Sequence, residues 1–478
     1  MGFENAAYRD YFTKNWDRHL ATMQNFLRQP CIPSDGVGCR ESAELLMEYY
    51  RALGCQEVTL LETPTGNPGV FAYLDSGAEQ TLINYCMLDT KPAYPDGWDA
   101  DPFAAEIVDK PPYGKVILAR GAQGRKAPYI SWLNALEAVK AIEGKLPMNI
   151  IFLAESEENL GSPNYKSFFE KYKDRLATAS FAFCPGAVQS ASGQVKITQG
   201  YKGLINVRFT CSGKLWGKGP QNKATHAMAH SLIESPTWRL VCAMASMKDP
   251  VTERILVKDF YADDQPVSDA ERAAAQRLVD GFPGKHWKEF LPGVGTDVKS
   301  ANDGLSNVDA TLKYWYSPSF NINGLASGFT GPGTEVFRLP NEAWCQCDIR
   351  IPRGYSAKNT IERIQRHLVE NGFADIEMKV TAAYEPYQTA LDSKLLKSFT
   401  DILDEENIPW TVWPFVGGGG PWSLFAELGM PVVFDAGIGF GAGAGAVNEF
   451  LAVEKSANYA GILEAELFFA EFIKRLGA

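Results

Sequence analysis

Apolar positions recur three and four residues apart over residues 12–30 and again over 41–53. This predicts two amphipathic helices, the second stopped at Gly54. Strand-sized apolar runs follow at 58–61, 70–74 and 81–86. A helical pattern returns over 129–142, and 149–153 is apolar enough for a strand covered on both faces. Strands alternating with helices predict an α/β domain, a mostly parallel sheet flanked by helices. From about residue 203 the pattern changes. Residues 204–211 and 343–351 alternate apolar and polar like half-exposed strands, and helices fit 236–246 and 357–370. These predict a smaller α+β domain with an antiparallel sheet. Beyond about 383 the first style resumes, with a helix over 395–405, a strand over 432–435 and a closing helix over 453–475. The expected organisation is one α/β domain formed by 1–202 and 384–478, with 203–383 inserted as a second domain.

The 478 residues are 45% hydrophobic and 22% charged, an ordinary globular composition on a chain long enough for two cores. The formal charge of −11 disfavours nucleic acid and anionic membranes as partners. No run approaches the roughly 18 apolar residues of a membrane span. Residues 1–12 lack the apolar segment of a signal peptide. The nine cysteines include no CxxC pair, so a reducing, cytoplasmic setting is expected. Cys345 and Cys347 are spaced for one face of a strand, not for a zinc knuckle.

Two glycine-rich pieces, 417–420 and 437–445, invite a phosphate-loop reading. Neither carries GxxxxGK[ST] or sits in an early βα turn, so both are read as tight turns where a backbone or a ligand approaches closely. The carboxylates are more informative. Glu155, Glu157 and Glu158 directly follow the buried 149–153 run, and Asp89 follows the 81–86 run. In an open α/β sheet, ligands bind at the C-terminal ends of the strands, so the acids are expected to share a cleft.

Several stretches together carry a family resemblance. They are Trp98-Asp-Ala-Asp-Pro-Phe103, Leu118-Ala-Arg-Gly-Ala122, the segment from Glu155 to Gly161-Ser162-Pro163, Gly200-Tyr-Lys-Gly203, Asn321-Ile-Asn-Gly324 through 328–333, Asp348-Ile-Arg-Ile-Pro-Arg-Gly354, and Val447-Asn448-Glu449. In this order they resemble the di-zinc aminoacylase, carnosinase, succinyl-diaminopimelate desuccinylase and glutamate carboxypeptidase family, in its longer, carnosinase-like branch. The resemblance implies a catalytic α/β domain with an inserted lid domain that dimerises, and a small-molecule substrate with an amide bond. It also implies five zinc-ligand positions, and all five are changed here. The family's His two before Asp89 falls on Met87, and its bridging Asp falls on Gly124. Its second paired Glu falls on Asn159, a further Asp on or near Pro185, and its late His on Gly445. Zinc needs several anionic or imidazole ligands at about 2.0–2.3 Å. Only five histidines occur, at 19, 226, 230, 286 and 367, none near Asp89 or Glu158 in sequence. The expectation is that there is no metal and no other cofactor.

By resemblance, Glu158 is the general base and His226 the lid histidine that reaches the partner subunit's site. Asp89 completes the expected catalytic set. His226 and His230 would share a face if their segment were helical. Arg120, Arg125 and Lys126 form a cationic patch that would either bind a substrate anion or close internal salt bridges to Asp89 or Glu158. Asn323, Gly418 and Gly419 are the remaining expected substrate contacts. The family's carboxylate clamp falls on Phe415-Val416, and Trp413, Phe415 and Trp422 hint at a ring-bearing ligand, with core packing as the default. Cys86 and Cys184, beside former ligand positions, are candidates for a nucleophile only if an electropositive setting ionises them. A non-catalytic relative is the competing reading.

Overall fold

The computed structural model describes residues 5–295, 297–300, 302–328, 331 and 336–478. The chain divides into two units. One is Met1–Gly200 with Gln388–Pro414 and Pro421–Ala478; the other is Tyr201–Tyr387 with Phe415–Gly420.

The first unit is built on a six-stranded sheet ordered Glu57–Leu61, Gly69–Leu74, Asn149–Glu155, Thr81–Met87, Phe181–Pro185 and Val432–Ala436. The two outer pairings on one side are antiparallel and the other three are parallel. The central strands are buried on both faces, which is why they read as continuous apolar runs instead of alternating ones. On one face Leu82, Ile150 and Phe152 pack into a core with Phe12 and Phe26 of helix Ala6–Arg28, Trp132 of Lys126–Glu143 and Phe468 of Ile462–Gly477. On the other face Phe71 stacks on Tyr172 of helix Tyr165–Leu176 at 3.8 Å, and Tyr85 meets Tyr165 edge-on at 5.5 Å.

A second sheet of four short strands, ordered Gly441–Ala442, Phe450–Ala452, Lys115–Leu118 and Glu106–Asp109, is antiparallel throughout. Its strand at 450–452 pairs with Val116–Leu118. The closing helix, expected over 453–475, begins only at Ile462, after Gly461, and residues 453–461 are non-helical.

In the second unit the antiparallel sheet is ordered Ser319–Ser327, Glu342–Ile351, Gly203–Ser212 and Glu377–Tyr384. Glu342–Ile351 alternates strictly between partly open and buried positions. Its inward residues pack on Leu240 and Met244 of helix Pro236–Ala245 and on Ile364 and Leu368 of Ala357–Glu370. Cys345 and Cys347 both point inward, with their sulfurs 3.4 Å apart. Among the described residues no helix is long and apolar enough to cross a membrane.

Candidate active site

Four parallel strands of the first unit, Asn149–Glu155, Thr81–Met87, Phe181–Pro185 and Val432–Ala436, end at one edge, because parallel pairing places Met87 beside Glu155 and Ala436 beside Pro185. A cavity of about 180 Å³ opens there. It is lined by Met87, Asp89, Lys91, Asn159 and Asp435 from the strand ends, with Arg120, Gly124, Arg125, Gly445 and Glu449 from two loops.

Asp89 is fully buried. Its Oδ1 accepts from the Glu158 N–H at 3.0 Å. Its Oδ2 accepts from the Asn159 N–H at 2.8 Å and from Asn159 Nδ2 at 3.0 Å. Burial still pushes its pKa up, against these donors. Glu158, half-buried, opens a short 3-10 turn that runs to Leu160. Its backbone braces Asp89, and Asn159 beside it lines the cavity. Glu155 and Glu157 point elsewhere. Glu155 accepts from Tyr85 Oη at 2.7 Å and Ser162 Oγ at 2.8 Å, and burial, then Asp89, drives its pKa well up. Glu157 is held by Thr65, Asn67 and Asn164.

The cationic patch is part of an internal network. Arg120 follows strand Lys115–Leu118 and Glu449 precedes the paired strand Phe450–Ala452, so the two meet. Arg120 Nη1 donates to Glu449 Oε2 at 2.9 Å, with both side chains buried. Glu449 Oε1 also accepts from the Gly124 N–H at 2.8 Å and the Gln123 N–H at 3.1 Å. Arg125 donates to Asp435 Oδ1 at 2.6 Å and lies 4.5 Å from the centre of the Phe434 ring, while Lys196 approaches Asp435 Oδ2 at 3.7 Å. Burial opposes the charge on Asp435, but Arg125 and then Lys196 outweigh it and hold the carboxyl below its ordinary pKa. Lys126 does not line the cavity. Its ammonium donates to the carbonyls of Phe26 and Gln29, and burial brings its pKa down to about 8.

Glycines make this network possible. A Cβ on Gly124 would lie 3.2 Å from Glu449 Oε1, and one on Gly186 only 2.2 Å from Asp435 Oδ1. Each charged side chain occupies space that a side chain at the glycine would need. Sequence reading noted Glu449 only as part of a motif and missed Lys91, Asp435 and Lys196. The one available signal was that the glycines fall next to former ligand positions.

All three carboxylates lining the cavity are thus committed to donors within the chain. Among the described residues no group of three or more His, Cys, Asp or Glu side chains is placed to hold a metal ion. Cys86 and Cys184 are buried. Burial drives the Cys86 thiol well up and Cys184 to about 12, so both stay protonated at neutral pH and neither is an activated nucleophile.

His226, Asn323, Gly418 and Gly419 belong to the second unit. The His226 segment is not α-helical: a two-residue strand at Thr225–His226 leads into a 3-10 turn, Ala227–Ser231, so the condition for a shared helix face of His226 and His230 is not met. His226 Nδ1 accepts from the Met228 N–H at 3.1 Å, which leaves the proton on Nε2, and its ring stacks on Phe337. Asn323 Oδ1 accepts from Asn321 Nδ2 at 2.8 Å. Gly418 lies against the Tyr201 ring, and a Cβ on Gly419 would come within 2.4 Å of the Lys202 carbonyl. Residues 329, 330, 332 and 333 of the 328–333 motif lie outside the described residues. Trp413, Phe415 and Trp422 are all buried, and Trp422 stacks on Phe434 at 3.7 Å, so packing accounts for this aromatic cluster.

Known proteins are similar to this chain in sequence and in architecture. The sequence model of peptidase family M20/M25/M40 matches residues 88–467. The human Beta-Ala-His dipeptidase is 26% identical over 339 residues, 68% of this chain and 62% of that protein. The Cys-Gly metallodipeptidase dug1 of Schizosaccharomyces pombe is 23% identical over 340 residues, 70% of this chain and 65% of its own. The match therefore spans less than two thirds of the length of these curated relatives. A solved M20 family metallo-carboxypeptidase from Sulfolobus solfataricus superposes with a TM-score of 0.80 at 25% identity, covering 96% of this chain and 99% of that one. This chain belongs to peptidase family M20/M25/M40.

Proposed function

We propose that this chain is an enzyme of the M20 scaffold that works without a dinuclear metal site, on a small amide- or carbonyl-bearing metabolite, by amide hydrolysis or proton abstraction. Glu158 is the general acid or base, and His226 of the partner subunit supplies the oxyanion donor. The observation that carries this reading is the state of the cavity's carboxylates. Asp89 accepts from residues 158 and 159, Glu449 pairs with Arg120, and Asp435 with Arg125 and Lys196. With the family's five ligand positions falling on Met87, Gly124, Asn159, on or near Pro185, and Gly445, the donor set does not fit two zinc ions. Fixed guanidinium and ammonium groups stand beside the carboxylates where the family holds divalent ions.

Chemistry in such a site differs from that of a metallopeptidase. Bulk water has a pKa of about 15.7, against about 7 when zinc-bound, so Glu158 faces a harder proton if water is the nucleophile. A carbon acid next to a carbonyl is a proton source a carboxylate base handles without a metal. The Nε2–H tautomer set by the Met228 N–H suits His226 to donate to a developing oxyanion. The two residues lie in different units, so a homodimer through the inserted domain is part of the proposal, as are the domain boundaries 1–202 with 384–478 and 203–383, and a cytoplasmic setting. The alternative, a binding subunit without turnover, draws on the same commitment of Asp89 and the cations to internal partners. The test is a metabolite screen with wild type and Glu158→Gln. Turnover that Glu158→Gln abolishes fits the enzyme. Turnover that survives excludes Glu158 as the base, and a metabolite bound unchanged by wild type favours the binding subunit.

A further inference from the structure

We propose that Lys91 anchors a carboxylate of the substrate at the strand-end cavity, a role that rests on the same cavity being the substrate site. Among the cations lining the cavity, Arg120 is tied to Glu449 and Arg125 to Asp435. Lys91 also lines it, is exposed, and among the described residues makes neither an ion pair nor a hydrogen bond. Asp89, two residues away, does not capture it, because both Asp89 oxygens already accept N–H donors from the 158–159 turn.

Its position is set by a glycine. A Cβ on Gly445 would sit 3.1 Å from Lys91 Cδ and 3.4 Å from both Cε and Nζ, so the bare backbone at 445, with φ +71°, is what lets the lysine stem lie against that loop. The ammonium thereby lies beside the cavity, whose lining also includes Asn159 and the committed arginines, without an ion pair among the described residues. An ammonium-to-carboxylate hydrogen bond is shorter and about twice as strong as a neutral one. The family's clamp position, now Phe415-Val416, offers no charge for that task, and Phe415 is buried against Tyr316. A carboxylate-bearing small molecule is the ligand class that matches one unpaired ammonium at a small cavity lined by charged residues.

The test is equilibrium binding by the full-length, chelator-treated protein, read by calorimetry or ligand-observed NMR, with N-acetylglycine and its uncharged counterpart N-acetylglycinamide. Wild type should bind the acid about tenfold or more tightly than the amide, as loss of a charged hydrogen bond implies. Lys91→Met should remove that preference without changing amide binding, Lys91→Arg should keep it, and raised ionic strength should reduce it. Equal binding of acid and amide by wild type, an unchanged preference in Lys91→Met, or no binding of either compound would each overturn the proposal. Because no turnover is read, these outcomes leave the metal-free enzyme reading standing. Conversely, turnover that needs zinc would sink that reading while leaving an observed Lys91 preference intact.

Discussion

Arg125 and Asp435 are 310 residues apart in sequence and 2.6 Å apart in space, and both hold left-handed backbone, at φ 110° and 63°. A non-glycine residue in that region costs of order 1 kcal/mol or more and persists only where surrounding contacts enforce it. Here the ion pair, Lys196 and the Phe434 ring do so. Arg125→Met leaves a largely buried carboxylate with only the more distant Lys196, and should destabilise the protein by about 3 kcal/mol. Arg125→Met with Asp435→Leu should cost less than the two single changes summed. Urea unfolding of the three variants measures both. Because the folded pKa of Asp435 lies below its unfolded value, its contribution is complete above about pH 3.9 and is lost as pH falls through the folded value.

Gly186 should be as demanding as the ion pair it accommodates. A Cβ there would meet Asp435 Oδ1 at 2.2 Å and its backbone at 3.1 Å. Gly186→Ala should therefore destabilise by about 2 kcal/mol through overpacking. The same change at Gly144, where nothing lies within 4 Å but φ is +81°, reports backbone strain without the clash and serves as the control. Thermal unfolding of the pair separates the two effects.

Glu155 should make stability fall as pH rises. Its pKa is raised by burial first and by Asp89 second, so the folded protein keeps a proton that the unfolded chain releases. Sign follows directly: the contribution is fully present below the unfolded value of about 4.3 and is lost as pH climbs towards the folded one, at up to about 1.4 kcal/mol per pH unit. Glu155→Gln keeps an acceptor for Tyr85 and Ser162 and should remove that part of the slope. Urea midpoints for wild type and variant, compared across this range, check the direction.

His226→Ala should lower kcat about 10²-fold while KM changes little, as removal of an oxyanion donor does. If His226 is only a turn cap for Met228, His226→Asn, which retains a side-chain acceptor, should restore kcat together with stability; if His226 is the oxyanion donor, restoring the cap should not recover kcat.

Much of the fold was legible because burial leaves a periodic trace. The run at 149–153 reads as a two-sided buried strand, and 343–351 reads as a one-sided one, as both are. Helix Tyr165–Leu176 escaped notice, and the closing helix was begun too early, at 453 instead of Ile462. The site was legible only in its strand-end carboxylates. That Arg120 serves Glu449 and Arg125 serves Asp435 follows from long-range packing over more than 300 residues, which no local spacing encodes.

Metal content tests the central claim most directly. Protein purified without chelators should carry zinc far below one ion per chain, and its turnover should be indifferent to chelation. Two zinc ions per chain, held about 3.5–4 Å apart as co-catalytic pairs are and required for turnover, would contradict it.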